Sequence, residues 1–196
     1  MTSRNSRTMN NYTFFLENTK LENVKMYKYL GLVFSTKGNF NIAKQELKKN
    51  ALKALFKLKA DLGTYFRSDI ILTMKLFDAL VKPILLYGCE IWGADNKIYT
   101  NDNDPLEQVH IKFCKMLLGT SKTSVNNACR GELGRYPIGL DSTYKSIKYW
   151  TEIITKESNM LSKLSYIDSL NNVQPGCWAG KRKEKISHYT GLALSG

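Results

Sequence analysis

The 196-residue sequence carries 29 Lys and Arg against 17 Asp and Glu, a formal net charge of +12, and 43% of its residues are hydrophobic. That balance excludes a disordered tail and leaves a chain long enough to bury a core, as one domain or two small ones. The charge is uneven, with twelve Lys and Arg against three Asp and Glu in residues 1–60, nine of each in 61–140, and eight against five in 141–196. Positive charge gathered toward the N-terminal end points to a phosphate-bearing partner. A solvated lysine face on a generally basic protein is the other reading.

In chain order, residues 1–11 are polar, lack the apolar stretch of a secretory signal, and read as frayed or truncated. Tyr12-Thr13-Phe14-Phe15-Leu16 predicts a short strand, Glu17-Asn18-Thr19-Lys20 a turn, and residues 21–25 the returning arm of a hairpin. Tyr27-Lys28-Tyr29-Leu30-Gly31-Leu32-Val33-Phe34 predicts a third strand, with Tyr27 and Tyr29 on one face and Lys28 and Leu30 on the other. A turn follows over 35–39, where Gly38 takes positive φ without penalty. A helix is then expected over 42–62, ended by Gly63. Leu47, Ala51, Ala54, Leu55, Leu58 and Leu62 fall on one arc of it, and Lys49, Lys53 and Lys57 lie opposite as a basic stripe.

A second helix starts at Ser68 or Asp69, and Pro83 kinks or breaks it. The apolar run over 70–92 is interrupted by Lys75, Asp78, Lys82 and Glu90, which favours a buried helix over a membrane span. Residues 94–103 read as a polar surface loop. Asp104-Pro105-Leu106-Glu107 predicts a helix start, with Asp104 as cap, Pro105 in the first position and Glu107 closing a capping box. Leu106, Val109, Phe113, Met116 and Leu117 form its buried face, and Gly119 stops it. A short helix over 125–133 and a turn at 134–139 lead to a long helix, capped by Asp141 and running to about 164. Its inward residues are Ile147, Trp150, Ile154 and Leu161. The tail from Asn171 is only partly patterned. The expected class is α+β, predominantly α-helical, with a small N-terminal antiparallel sheet ahead of a helical assembly. Its organisation is a terminus over 1–11, a strand region with a basic helix over 12–66, a helical unit over 67–170, and a tail over 171–196.

The cysteines, Cys89, Cys114, Cys129 and Cys177, form no Cys-x-x-Cys pair and match neither a zinc module nor a small disulfide scaffold. His110 and Cys114 are four apart and share a helix face, but no second pair completes a site. A packed histidine and a buried free thiol are expected, and reduced thiols suggest an intracellular chain. There is no Asp-Asp pair, Gly-rich phosphate loop, nucleophile elbow or His-centred triad, so no catalytic residue, metal, cofactor or small-molecule substrate is implied.

The order of the segments carries more than any one of them. Tyr27-Lys28-Tyr29-Leu30-Gly31 and Gly38-Asn39-Phe40 precede an Ala/Lys helix. Lys82-Pro83-Ile84-Leu85-Leu86-Tyr87-Gly88-Cys89-Glu90-Ile91-Trp92-Gly93 follows. Leu106-Glu107-x-Val109 comes next, with Phe113 and Leu117-Leu118-Gly119, and then Arg130-Gly131-Glu132-Leu133-Gly134-Arg135-Tyr136-Pro137-Ile138. Together these resemble the region just beyond the catalytic palm in reverse transcriptases of non-LTR (LINE-type) retrotransposons. The second segment is similar to that family's Pro…Tyr-Gly-x-Glu-x-Trp stretch, and the last to its Glu-Leu-Gly-x-x-Pro turn. The likeness covers roughly residues 12–165, with a fainter echo at Trp178-Ala179-Gly180-Lys181 and Gly191-Leu192.

The resemblance implies an RNA-directed DNA polymerase fragment: a thumb whose lysine helix tracks the template–primer duplex, then a helical linker. Tyr29, Leu30 and Gly31 would sit near the primer strand, and Lys49, Lys53 and Lys57 near phosphates. The partner implied is RNA or an RNA–DNA duplex, with no membrane. The parent enzyme's Mg²⁺ belongs to an aromatic-x-Asp-Asp turn that this sequence lacks, so binding without catalysis is expected. Arg7-Thr8-x-x-x-Tyr12 is similar to the family's Lys-Thr segment just past that turn, which puts Met1 just downstream of the active site. Two other readings stand beside this one. The chain is a nucleic-acid-binding module in its own right, or it is a helical interaction protein or retroelement remnant. In the last case, apolar surface left by the missing palm promotes self-association.

Overall fold

Two small antiparallel hairpins precede nine helices among the residues that the computed structural model describes, which are 13, 15–35, 40–93, 102–157 and 160–171. The class is therefore α+β and mostly helical. The N-terminal segment 1–11, the turn around Gly38, most of the loop over 94–103 and the tail beyond 171 lie outside the described residues, as do Cys177 and Trp178.

Strand β1 (Phe15–Leu16) pairs with β2 (Thr19–Lys20), so the returning arm is Thr19–Lys20 and not residues 21–25. The expected strand over 27–34 is a second hairpin: β3 (Met26–Tyr29) turns at Leu30 and Gly31 and runs back as β4 (Leu32–Ser35), with Tyr29 opposite Leu32. Both turn residues have positive φ, 46° at Leu30 and 84° at Gly31. A two-residue loop with that signature matches the twist of an antiparallel pair, and Asn-Gly is its usual sequence. Leucine is uncommon in the left-handed region, so the alternation reads through the turn as if it were one strand.

Helix α1 (Asn41–Leu62) ends where Gly63 adopts φ 53°. A short α2 (Tyr65–Ser68) intervenes before α3 (Ile70–Leu80), where the Asp69 carboxylate accepts the Leu72 N–H at 2.9 Å as its cap. Pro83 lies in the first turn of α4 (Lys82–Leu85), where a missing N–H costs nothing, so the break falls at Val81. Left-handed Gly88 leads into α5 (Cys89–Trp92). Asp104 caps α6 (Pro105–Leu118) by accepting the Leu106 N–H at 2.9 Å, and left-handed Gly119 closes it. Then come α7 (Asn126–Glu132), α8 (Ile138–Thr155) and α9 (Leu161–Asn171).

One apolar core runs from Leu32 to Ile138. Leu47, Ala51, Leu55 and Leu58 supply the buried face of α1, which packs on α3, α4 and α6. Lys44 meets Asp104 at 2.7 Å and Lys48 meets Gln108 at 2.5 Å, each pair sixty residues apart, so α1 and α6 run parallel. Phe77 stacks on Phe113 with centroids 3.9 Å apart, and Phe66 meets Phe113 edge-on. No helix of the described residues is long and apolar enough to cross a membrane.

The long helix expected to reach 164 stops after Thr155, where Lys156 is extended. The indole N–H of Trp150 donates to the Tyr166 hydroxyl at 3.0 Å, and these two with Ile153 form a second small core. A continuous helix would hold residues 150 and 166 about 24 Å apart, so this contact requires the break. The inward face is Ser142, Thr143, Ser146, Trp150 and Ile153. Ile147 and Ile154 are half-buried, and Leu161 is exposed. Nor does Asp141 cap α8; the helix starts three residues earlier, and Asp141 pairs with Lys82 at 2.8 Å.

Candidate nucleic-acid interface

Over three successive turns in the middle of its 22 residues, α1 places a cation on the outer face. Lys49, Lys53 and Lys57 are all exposed, four residues apart, opposite the arc that carries Leu47, Ala51 and Leu55. At 1.5 Å rise per residue the three span about 12 Å along the axis. None of the three is in an ion pair among the described residues. By contrast, Lys44 on the inner arc is bonded to Asp104 and lies 5.2 Å from the Trp92 ring centroid. The helix thus spends Lys44 and Lys48 on docking to α6 and leaves a row of three facing solvent. Such a row neutralises phosphates without reading sequence.

Tyr29, Leu30 and Gly31 form a separate feature, the end of the second hairpin. Tyr29 and Leu30 are exposed, the latter at 72%. What holds this turn was not visible in the sequence. The Tyr87 hydroxyl donates to the Leu30 carbonyl at 2.5 Å. A Cβ at Gly31 would lie 3.4 Å from the edge of the Tyr87 ring, and one at Gly88 would lie 2.3 Å from a methyl of buried Leu32. Two stretches singled out separately in the sequence, Tyr29-Leu30-Gly31 and Tyr87-Gly88, therefore meet at one joint. The chain bonds the Leu30 carbonyl and keeps Gly31 against the tyrosine, while the Tyr29 side chain stays open to solvent.

Glu107 departs from the expected capping box. It is buried and takes three partners: Arg130 Nη1 at 2.7 Å, the Ile138 N–H at 2.8 Å and His110 Nδ1 at 3.2 Å. Arg130 also reaches Asp102, and Arg135 donates through Nε to His110 Nε2 at 3.0 Å and clasps Asp78. With Nε2 accepting, the imidazole proton sits on Nδ1 and is donated to Glu107. This network ties α3, α6, α7 and the start of α8 together. The sequence signal for it was weak: a Glu at the third helical position looks identical whether it turns back to the cap or inward.

Among the described residues no three His, Cys, Asp or Glu side chains lie together in a way that could hold a metal ion. Asp102 and Asp104 are engaged by Arg130 and Lys44. Among the described residues these two carboxylates, each tied to a cation, do not fit the two-metal site of a polymerase palm. Cys89 and Cys114 are buried free thiols, and burial pushes each up to about 12, the opposite of an activated nucleophile.

No protein-family model, curated protein or solved structure matches this chain.

Proposed function

We propose that this chain grips a polynucleotide duplex through its phosphate backbone and performs no chemistry of its own, as the thumb and linker of a non-LTR reverse transcriptase would without its palm. The observation that carries the reading is the row of Lys49, Lys53 and Lys57. It is exposed, one residue wide, free of ion pairs among the described residues, and mounted on a helix whose other face is anchored in the core. The resemblance in segment order adds the substrate class, RNA or an RNA–DNA duplex.

The test is the salt dependence of binding. Fluorescence anisotropy with a blunt RNA–DNA duplex should give an affinity that falls steeply with salt. Changing all three lysines to glutamate should flatten the slope by about three times 0.9, since each phosphate left without its lysine removes about 0.9. An unchanged slope rejects the stripe as the interface. Primer extension with purified chain and Mg²⁺ should yield no product, and any extension above a no-protein control contradicts the reading.

One observation favours a different reading. Phe15, Leu16, Met26, Tyr27, Tyr29 and Leu30 are all more than half exposed, an apolar concentration that a protein partner or a second copy would cover. Concentration-dependent sedimentation with no nucleic-acid affinity at low salt would favour that reading.

A further inference from the structure

A second cluster of cations gathers where α1 and α6 end. Because the two helices run parallel, their C-termini lie at the same end of the molecule, and α2 and the loop after α6 close around them. Lys59, Arg67, Lys112, Lys115 and Lys122 line an open groove of about 650 Å³ there. They come from four segments of the sequence, which is why no run of basic residues announces the site.

Part of this charge answers to the fold. Each helix end carries about half a negative charge, and Lys59 and Lys115, in the last turns of α1 and α6, offset both. Lys115 also bonds the Lys122 carbonyl at 2.7 Å. Arg67, Lys112 and Lys122 remain in excess. The Arg67 guanidinium lies on the bare backbone of Gly119, where any Cβ would collide with it. Lys112 sits 4.6 Å above the Phe56 ring centroid. None of the five forms an ion pair among the described residues. The one carboxylate in the lining, Asp102, is already held by Arg130 and by Asn126 at 2.9 Å. A concave wall with surplus charge of one sign concentrates its field on the opening.

The rest of the lining suits a nucleotide better than a simple anion. Ile111 and Met116 give an apolar floor, and Gln108 and Thr120 give donors and acceptors beside it. The volume lies within the range of small-ligand sites and accommodates a nucleotide unit or two, whereas a rigid duplex meets a concave slot poorly.

We propose that this groove holds the backbone of a single-stranded polynucleotide, through cations other than Lys49, Lys53 and Lys57. The inference rests on the reading of the chain as a polynucleotide binder, but on different residues. The chain would then hold a duplex with one face of α1 and an unpaired strand at its C-terminal end.

The experiment compares two probes, a short labelled RNA single strand and a blunt RNA–DNA duplex, on the full chain carrying Lys112→Glu and Lys122→Glu. Single-strand affinity should fall by roughly tenfold and its salt slope flatten by about 1.4, two phosphates at about 0.7 each, while duplex affinity stays within about twofold. Lys112→Gln with Lys122→Gln, checked for an unchanged circular dichroism spectrum, should give the same order of effects with a smaller drop. An unchanged single-strand slope, or equal loss for both probes, overturns the proposal. So does inorganic tripolyphosphate displacing the RNA at equal phosphate concentration, because an anion site with no preference for a strand would behave that way. Loss of duplex binding in the Lys49, Lys53 and Lys57 variant tests the other reading separately. If that variant is silent and the groove variant is not, the groove stands alone.

Discussion

The Tyr87 hydroxyl and the Leu30 carbonyl, 57 residues apart, share a 2.5 Å hydrogen bond that fastens a hairpin to the helical core. Leu30 holds φ 46°, a conformation that costs a non-glycine residue about 1–2 kcal/mol. Tyr87 stands at the start of α5 beside left-handed Gly88, whose missing Cβ leaves room for Leu32. Donor, strained acceptor and two glycines form one docking joint.

Breaking that joint should loosen the hairpin before it unfolds the core. Tyr87→Phe removes one half-exposed hydrogen bond and should cost about 0.5–1 kcal/mol. Gly88→Ala adds a clash with Leu32 and a disfavoured φ, and should cost more, about 2 kcal/mol. Leu30→Asn should recover stability, because asparagine tolerates the turn's dihedrals. Amide hydrogen exchange over 26–35 is the readout. Protection should fall in the first two variants and rise in the third, with the amides of α6 unaffected in Tyr87→Phe. A hairpin indifferent to Tyr87 would show that the hydrogen bond holds nothing.

The Glu107–Arg130 pair supports a larger effect. Both side chains are nearly fully buried, so removing one charge strands the other in low dielectric. Glu107→Gln should cost about 3 kcal/mol or more in denaturant unfolding. Arg130→Met should cost a similar amount. The double variant should cost clearly less than the sum, with a coupling of about 2 kcal/mol, since neither charge is then left alone. Additive losses would mean that the two residues act through other partners, His110 and the Ile138 N–H for one and Asp102 and Asn127 for the other.

Much of this fold was legible because local chemistry and tertiary demand agree. Asp104-Pro105 starts α6 and Gly119 stops it because cap, ring and left-handed glycine act within a few residues of themselves. The arc Leu47, Ala51, Leu55 and Leu58 and the opposing lysines follow from helical period alone. The misses share one cause, a distant partner overriding the local signal. Leu30 turns the chain where an asparagine would have announced the turn, because Tyr87 and the hairpin pairing hold it there. Glu107 abandons its cap for Arg130. Helix α8 stops at Thr155 with neither glycine nor proline to mark the end, because Tyr166 must return to Trp150. The groove at the end of α1 and α6 was invisible for the same reason, since its cations are neighbours only after two helices align in parallel.

The buried thiols set a pH limit. Cys89 and Cys114 are each raised from 9.0 to about 12, chiefly by desolvation. Above pH 9 the unfolded chain loses both protons and the folded chain keeps them, so unfolding releases protons and stability falls as pH rises. The contribution is fully present below pH 9 and erodes between 9 and 12, at up to about 1.4 kcal/mol per pH unit for each thiol. Cys89→Ser with Cys114→Ser, if folded, should flatten that decline in thermal melts. In the native protein neither thiol should react with iodoacetamide at pH 8 faster than the chain unfolds. Rapid labelling of either would show it is not enclosed.

The seam between α5 and α8 leaves the least room for change. A Cβ at Gly93 would lie 2.4 Å from the Ser142 carbonyl oxygen, which is backbone and has nowhere to move without displacing α8. The Ser146 hydroxyl donates to the Glu90 carbonyl at 3.1 Å across the same seam, so small side chains set the close approach. Two substitutions separate spacing from bonding. Ser146→Ala keeps the volume nearly constant and deletes one hydrogen bond, and should cost about 1 kcal/mol. Gly93→Ala keeps every bond donor and forces the helices apart, and should cost about 2–3 kcal/mol. Because Trp150 and Ile153 ride on α8 and hold Tyr166, a displaced α8 should also disturb the second core, seen as a shift in Trp150 fluorescence. If Gly93→Ala melts like the parent, with the indole environment unchanged, the two helices are not held at touching distance and the close packing assigned to this seam is wrong.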